Sequence, residues 1–506
     1  MDFLSQAADA LWNPWLLGLF LVTGLVYSVG SGWFQIFEFR TWWSSTAGSL
    51  LHRQSVKDGG LSPLQALATA LASTMGTGSI AGVAAALTLG GPGAVFWMWI
   101  SALLGMMTSC GEKLLAVKYQ RPGPDGQLRG GPMYYLRDGL GCPPLAACFC
   151  LACIPATLAG GNLVQSSSIA SSLEAVCGLP RLSVGLVTAL LAGLVMLGGL
   201  SRIAAVSSAL VPAMAVLYLG SGAAVVLCNW QKIPEALGLI LSCALSPSAA
   251  AGGGAGWTVA AALRYGVARG VFTNEAGLGT SAMAHGAAQV DHPARQGMWG
   301  IFEVFLSTLT VCTITALAIL VSGVWQPLSP SALTGAPLTA AAFGSALGPA
   351  GARVVALSLL LFAFSSILGW SYYGEQSLSF FFLNNRKSSK NHGQMAKQPQ
   401  RLLRISSLLY RAVFLGCIVL GSVWNPQAIW QLVDLCNAVM ALPNLTALLL
   451  LSPTSLVSLR MWARKNTIVE SAENGKTLLT AEGNMPIIKD RKRATAHSRR
   501  SDNYDL

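Results

Sequence analysis

Apolar runs about 20 residues long, the length a helix needs to cross a bilayer, recur along this chain with almost no charge inside them. Hydrocarbon offers no water to a free peptide group, so a spanning segment closes its own hydrogen bonds as a helix or joins a closed barrel. Runs of this length read as helices. About eleven spans are expected, near 15–34, 64–90, 92–117, 145–175, 182–199, 206–228, 257–286, 298–322, 352–383, 405–423 and 428–452. The piece 236–245 is too short to span and reads as re-entrant or external. A Pro-rich loop is expected up to 350, and a disordered tail over 460–506.

Two of the spans are interrupted. In 257–286, Gly277 and Gly279 weaken the helix, and Thr273, Asn274 and Thr280 offer groups that compete with backbone bonding. Glu275 is an ionisable group at membrane depth, which marks a functional site by default. In 64–90, Gly76, Thr77, Gly78, Ser79 and Gly82 interrupt an apolar helix. Unwound backbone at this depth has to face protein or a watery cavity. Its free carbonyls bind cations and its half-helix N-termini bind anions.

Composition supports a polytopic membrane protein: 506 residues, 53% hydrophobic and only 10% charged. The net charge of +12 would suit nucleic acid, but the basic residues sit in short loops and the tail, where they set topology, so no nucleic-acid partner is expected. Cys148, Cys150 and Cys153 stand inside an apolar span, and the eleven cysteines read as small apolar residues rather than a metal or disulfide set. Asp2 and Asp9 precede the first span in place of a basic region, so it reads as a retained helix.

The loops after spans 1, 3, 5, 7 and 9 and the tail are basic, which puts the amino terminus outside and the carboxy terminus in the cytoplasm. With span 1 set aside, spans 2–6 and 7–11 form two sets of five that start on opposite sides, each opening with a broken helix. The expected fold is an all-α polytopic membrane protein with a five-plus-five inverted repeat and one extra N-terminal helix, the site lying between the repeats. The expected divisions are 1–60 for the extra helix and cytoplasmic loop, 61–229 for the first repeat, 230–256 for a connector, 257–455 for the second repeat and 456–506 for a basic cytoplasmic tail.

Six stretches carry a resemblance: GTGSIAGVAAALTLGGPGAVFWMW (76–99), GGPMYYL (130–136), GVARGVFTNEAGLGTSAMAHGAA (266–288), DHPARQG (291–297), FAFSSILGWSYYGEQ (362–376) and NAVMALPNLTALLLLSP (437–453). Through them, residues 15–455 resemble the alanine or glycine:cation symporters, the sodium:alanine symporters. The resemblance implies a leucine-transporter-like fold in a bacterial plasma membrane and sodium-driven uptake of small neutral amino acids. It implies no cofactor and no enzymatic activity, with the substrate, sodium and the lipid bilayer as partners. Proton coupling or exchange is the alternative. Three positions depart from the family pattern: Ser79 stands where Asn is usual, Thr273 where Ser is usual, and Ser366 where Thr is common.

The implied substrate contacts are Thr77, Gly78, Ser79, Gln165, Phe272, Thr273, Asn274, Gly277 and Trp370. The implied cation contacts are Gly76, Ser365, Ser366 and Glu275. Plainer roles compete with these. Small residues pack helices closely, Gln165 and Asn162 can join helices, and Ser365 and Ser366 can bond back within their own helix. Arg269, about a turn and a half upstream of Glu275, is the expected partner of that acid. Glu303 and Asp434 read as structural. A channel would need charge rings or a repeated filter, and an enzyme a motif such as HExxH, GxSxG or a P-loop; neither pattern is present.

Overall fold

A computed structural model describes residues 6–7, 10–51, 61–123, 126–245, 258–326, 333–383 and 397–473. Much of the charge that sets topology lies outside them, at 52–60, 384–396 and 474–506.

Helices dominate the described chain, and its strands among the described residues are a short hairpin, Arg121–Pro122 with Leu128–Arg129. Seven helices are long and apolar enough to cross a membrane. Two broken spans and the shorter apolar helices α1 (Pro14–Gly30) and α6 (Arg181–Met196) bring the described spans to the expected eleven. The protein is a multi-pass membrane protein.

The first broken span is α2 (Pro63–Thr74), a single 3-10 turn at Thr77–Ser79, and α3 (Ala81–Gly90). Its start is fixed by a capping box: Gln65 N–H donates to Ser62 Oγ at 3.1 Å, and Ser62 N–H to Gln65 Oε1 at 3.0 Å. Such a cap stabilises a helix end by about 1 kcal/mol. Next come α4 (Gly93–Lys118) and α5 (Pro143–Cys177), which carries a π-turn at Ala159–Leu163. After α6 follow α7 (Gly199–Cys228) and α8 (Ile233–Leu245). The second broken span is α9 (Val259–Asn274) and the short α10 (Thr280–His285). Then come α11 (Pro293–Ser322), α12 (Gly335–Leu347), α13 (Pro349–Leu383), α14 (Lys397–Val423) and α15 (Pro426–Glu473).

The two broken spans run antiparallel. Leu61, just before α2, forms a bridge with Ala288, just after α10. At the other end, a Cβ on Gly90 would lie 3.1 Å from Tyr265 Cβ and 3.2 Å from Ala261 O, so the end of α3 lies against the start of α9. Spans of opposite direction are what an inverted pair requires. α4 is the central post: its second half, Met106 to Val117, is continuously buried against α9 and α11.

Two expectations are corrected. Residues 335–347 form helix α12 rather than loop, because Pro337 falls in the first turn, where no intrahelical N–H is needed. α12 lies on the first broken span, with Thr339 Oγ1 donating to Ile80 O at 3.2 Å. The chain from 460 to 473 continues α15, since no Gly or Pro follows Pro453 before Gly475 to stop it.

Candidate substrate and cation site

At the first break, Gly76 lets three elements meet. A Cβ there would lie 2.6 Å from Ser366 Oγ and 3.1 Å from Gln165 Oε1. Gln165 Oε1 accepts from Thr77 N–H at 3.2 Å, and its Nε2 donates to Gly160 O at 3.0 Å. That second bond caps a carbonyl of the π-turn in α5, a kind of distortion common at functional sites. One amide thus joins the π-turn to the unwound backbone.

Beyond Gly76 the breaks face each other. A Cβ on Gly78 would lie 2.9 Å from Thr273 Oγ1 and 3.0 Å from Phe272 Cδ1. Phe272 meets Trp430 edge-on at 5.1 Å, and Thr273 Oγ1 donates back to Arg269 O at 2.8 Å. Ser79 O accepts from Thr315 Oγ1 at 2.9 Å. Thr77 Oγ1, Ser79 Oγ and Asn274 Nδ2 are buried with no hydrogen-bond partner among the described residues. Buried polar atoms are seldom left unpaired outside functional sites.

Ser365 and Ser366 reach from α13 to the last turn of α2. Both hydroxyls donate to Ala72 O at 3.0 Å, and Ser366 also donates to Ser73 O at 3.0 Å. Ser365 bonds back to Phe362 O at 2.9 Å as well, so the plainer role coexists with the cross-helix one. The two hydroxyl and two carbonyl oxygens form one run of 3.0 Å contacts, Ser365–Ala72–Ser366–Ser73. Hard oxygen ligands of this kind suit a small, weakly polarisable cation.

Two expected residues, Gly277 and Trp370, are brought elsewhere, and Glu275 stays in the second break. Gly277, at φ +91°, has both backbone groups bonded to protein: its N–H donates to Glu112 Oε1 at 2.9 Å, and its carbonyl accepts from Asn444 Nδ2 at 2.9 Å. Its neighbours are Phe20 and Leu445, not Thr77–Ser79. Trp370 is buried against Gly161 and meets Tyr373 at 5.9 Å. Glu275 accepts from Thr280 Oγ1 at 2.5 Å.

The expected Arg269–Glu275 pair does not form. Arg269 binds Asp434 of α15 with both guanidinium ends, at 3.1 and 2.9 Å, and its guanidinium lies 4.6 Å from the centre of the Trp430 ring. Residues six apart fall on different faces of a helix, and Glu275 leaves the helix in a left-handed conformation at φ +55°. Asp434, read as structural, thus joins α9 to α15 beside the Trp430 ring that Phe272 meets.

Sequence reasoning missed Glu112, Lys113, His285 and Asn444. Asn444 Nδ2 donates to Glu112 Oε1 at 2.7 Å and its Oδ1 accepts from the Tyr135 hydroxyl. The signal was present: Glu112 and Lys113 are adjacent charges inside an apolar span, which marks function or pairing.

With this geometry in place, comparison with known proteins decides the family. The chain matches the sodium:alanine symporter family over residues 1–475. It belongs to that family. It is 39% identical over 461 residues to the sodium/alanine symporter AgcS of Methanococcus maripaludis, covering 89% of this chain and 95% of that one. It is 40% identical to an uncharacterized transporter of Haemophilus influenzae, covering 88% and 93%. It is also 35% identical to the "Probable sodium/glutamine symporter GlnT" of Bacillus subtilis, covering 91% and 90%. As a sodium:alanine symporter family member the protein is a transporter, not an enzyme, and its work is cation-coupled amino-acid symport across a membrane.

Proposed function

We propose that this family member couples sodium entry to uptake of a small neutral amino acid, alanine or glycine, by alternating access. The observation that carries the reading is the oxygen cluster of Ser365, Ser366, Ala72 and Ser73 beside the first break. It contains hydroxyls and carbonyls and no titratable side chain, which favours sodium over a proton as the ion held there. Gly76 belongs to this site because only a residue without a side chain lets Ser366 and Gln165 approach. Glu275 adds the oxygens of an acid to the second break.

The substrate lies between the breaks. Its carboxylate meets backbone N–H groups of the unwound turn at Gly76–Ser79, and its ammonium meets Ser79, Thr77 and the carbonyls near Thr273. Gly78, Gln165 and Asn274 complete the shell, and Phe272 forms a wall. Crowding supports a small side chain: a Cβ on Gly160 would lie 3.4 Å from Val433 and 3.7 Å from Phe272. Sodium binding orders α2 and the turn after it, so sodium raises substrate affinity and substrate raises sodium affinity by the same factor. Gly277 holds the unwound segment, and Trp370 holds α13 against α5. The repeats span 61–229 and 257–455, with the amino terminus outside a bacterial cytoplasmic membrane and the carboxy terminus inside.

Counterflow in proteoliposomes tests the reading, with labelled alanine and an unlabelled panel of alanine, glycine and glutamine, with and without sodium. Alanine or glycine should exchange only when sodium is present. Exchange driven equally well by a pH gradient without sodium would replace sodium with the proton. Preference for glutamine would move the protein toward the specificity named for GlnT.

A further inference from the structure

Next to the breaks lies a second polar group that the symport site does not use. Glu112 and Lys113 sit side by side on α4, Glu303 on α11 and His285 at the end of α10, all with 0% exposure. Lys113 Nζ is 3.4 Å from Glu303 Oε2 and 3.6 Å from Glu112 Oε2. His285 Nε2 is 3.3 Å from the same Glu303 oxygen, and its Nδ1 is 2.6 Å from Gln296 Nε2. The group also grips the second break. Glu112 accepts from Gly277 N–H, Lys113 donates to Ser281 Oγ at 2.7 Å, and His285 is itself the last residue of α10.

The charges do not balance as they stand. Two carboxylates face one ammonium and one imidazole, so a neutral imidazole leaves one buried negative charge uncompensated. Buried charge without a partner is strongly unfavourable. One proton, on Glu112 or on His285, makes the group neutral. Capacity for it is present: Glu112 Oε2 and Glu303 Oε1 have no hydrogen-bond partner among the described residues, and His285 Nε2 faces Glu303 Oε2. Groups this close titrate as a unit, so the proton belongs to the cluster rather than to one atom.

We propose that Glu112, Lys113, Glu303 and His285 form a proton-binding site whose single proton holds α10 and the unwound segment in place. Tyr27, Tyr135, Tyr373 and Cys110 face the cluster from neighbouring helices and from α4 itself. They are common to the wild type and the variants, so their own titration cancels when the slopes are compared. Glu275, bonded to Thr280, faces it from the unwound segment as a further buried carboxyl group, so the variants below are compared with the wild type in a Glu275→Gln background as well. Loss of the proton leaves α10 tied to a net negative cluster, and the grip on Gly277 and Ser281 loosens.

The test is the thermal midpoint of the full-length protein in detergent, without substrate, across neutral to alkaline pH. The wild type should lose stability as pH rises, with a slope equivalent to about one proton. Glu112→Gln and Glu303→Gln each leave one carboxylate against Lys113, so each should remove that slope. The two have different hydrogen-bond roles, so failure of one to fold leaves the other to decide. A wild type with a flat profile, or a slope that survives in a folded variant, overturns the proposal. A second arm measures sodium-saturated alanine exchange at equal pH on both sides. This arm rests on the symport reading: exchange should vary several-fold with pH in the wild type and less than about twofold, a difference under roughly half a kcal/mol, in the variants. If the melting result holds while no amino acid exchanges, the symport reading fails and the proton site stands. Exchange with the wild-type pH profile in both variants overturns the link between the proton and α10.

Discussion

Ser365, Ser366 and Gln165 each reach from a continuous helix to a break. Ser365→Ala with Ser366→Ala removes two of the four oxygens of the candidate cation shell. The sodium concentration for half-maximal uptake should rise about tenfold or more, roughly 1.4 kcal/mol, while alanine affinity at saturating sodium changes little. Unchanged sodium dependence in a well-folded protein would take the serines out of the site. Gln165→Ala strands Thr77 N–H and Gly160 O together. An unpaired buried group costs about 1–3 kcal/mol, so alanine affinity measured by counterflow should fall about tenfold. A change within twofold would leave Gln165 as a joint between helices only.

A break works only if the pieces around it are held. The second one is held at Gly277, whose N–H and carbonyl are clamped by Glu112 and Asn444. At φ +91° a side chain is strained, and a Cβ would lie 2.6 Å from the Phe20 ring. Strain of this kind costs of order 1–3 kcal/mol. Gly277→Ala should therefore lower the melting temperature and transport together. Gly344→Ala serves as the control. It lies inside α12 with open space where its Cβ would go, and Ala suits a helix better than Gly. That variant should transport normally and melt no lower than the wild type. Equal melting temperatures for Gly277→Ala and wild type would show that the clamp carries no load.

Across the whole molecule, two antiparallel broken spans are tied at one end by Leu61 with Ala288 and at the other by Gly90 with Tyr265. A shared site between spans of opposite direction lets one half rock against the other while the site stays near the middle. The loop charges support the proposed orientation, with the two chain ends on opposite sides. Reporter fusions at each terminus should therefore read outside at the amino end and cytoplasm at the carboxy end. Both ends on the same side would require an even number of spans and would break the pairing of repeats.

What the amino-acid order determined by itself was local: which runs are apolar enough to span, where Gly, Thr and Asn interrupt them, and which polar residues stand inside them. Backbone bonding in hydrocarbon leaves few choices, so spans and breaks were legible, and the quoted motifs carried Ser365 and Ser366. Partnership between distant segments was left to the tertiary structure. Arg269 chose Asp434, 165 residues on, because Glu275 turns out of the helix. Glu112 and Lys113 found Asn444, Ser281 and Glu303, and Glu303 found His285, because α4 packs against α10, α11 and α15 at once. Helix α12 formed where composition suggested loop, because the first broken span offers its apolar face and Thr339 a place to pack. A buried charge is satisfied by whatever the fold brings within about 4 Å, and the strength of that pairing depends on burial that only packing creates.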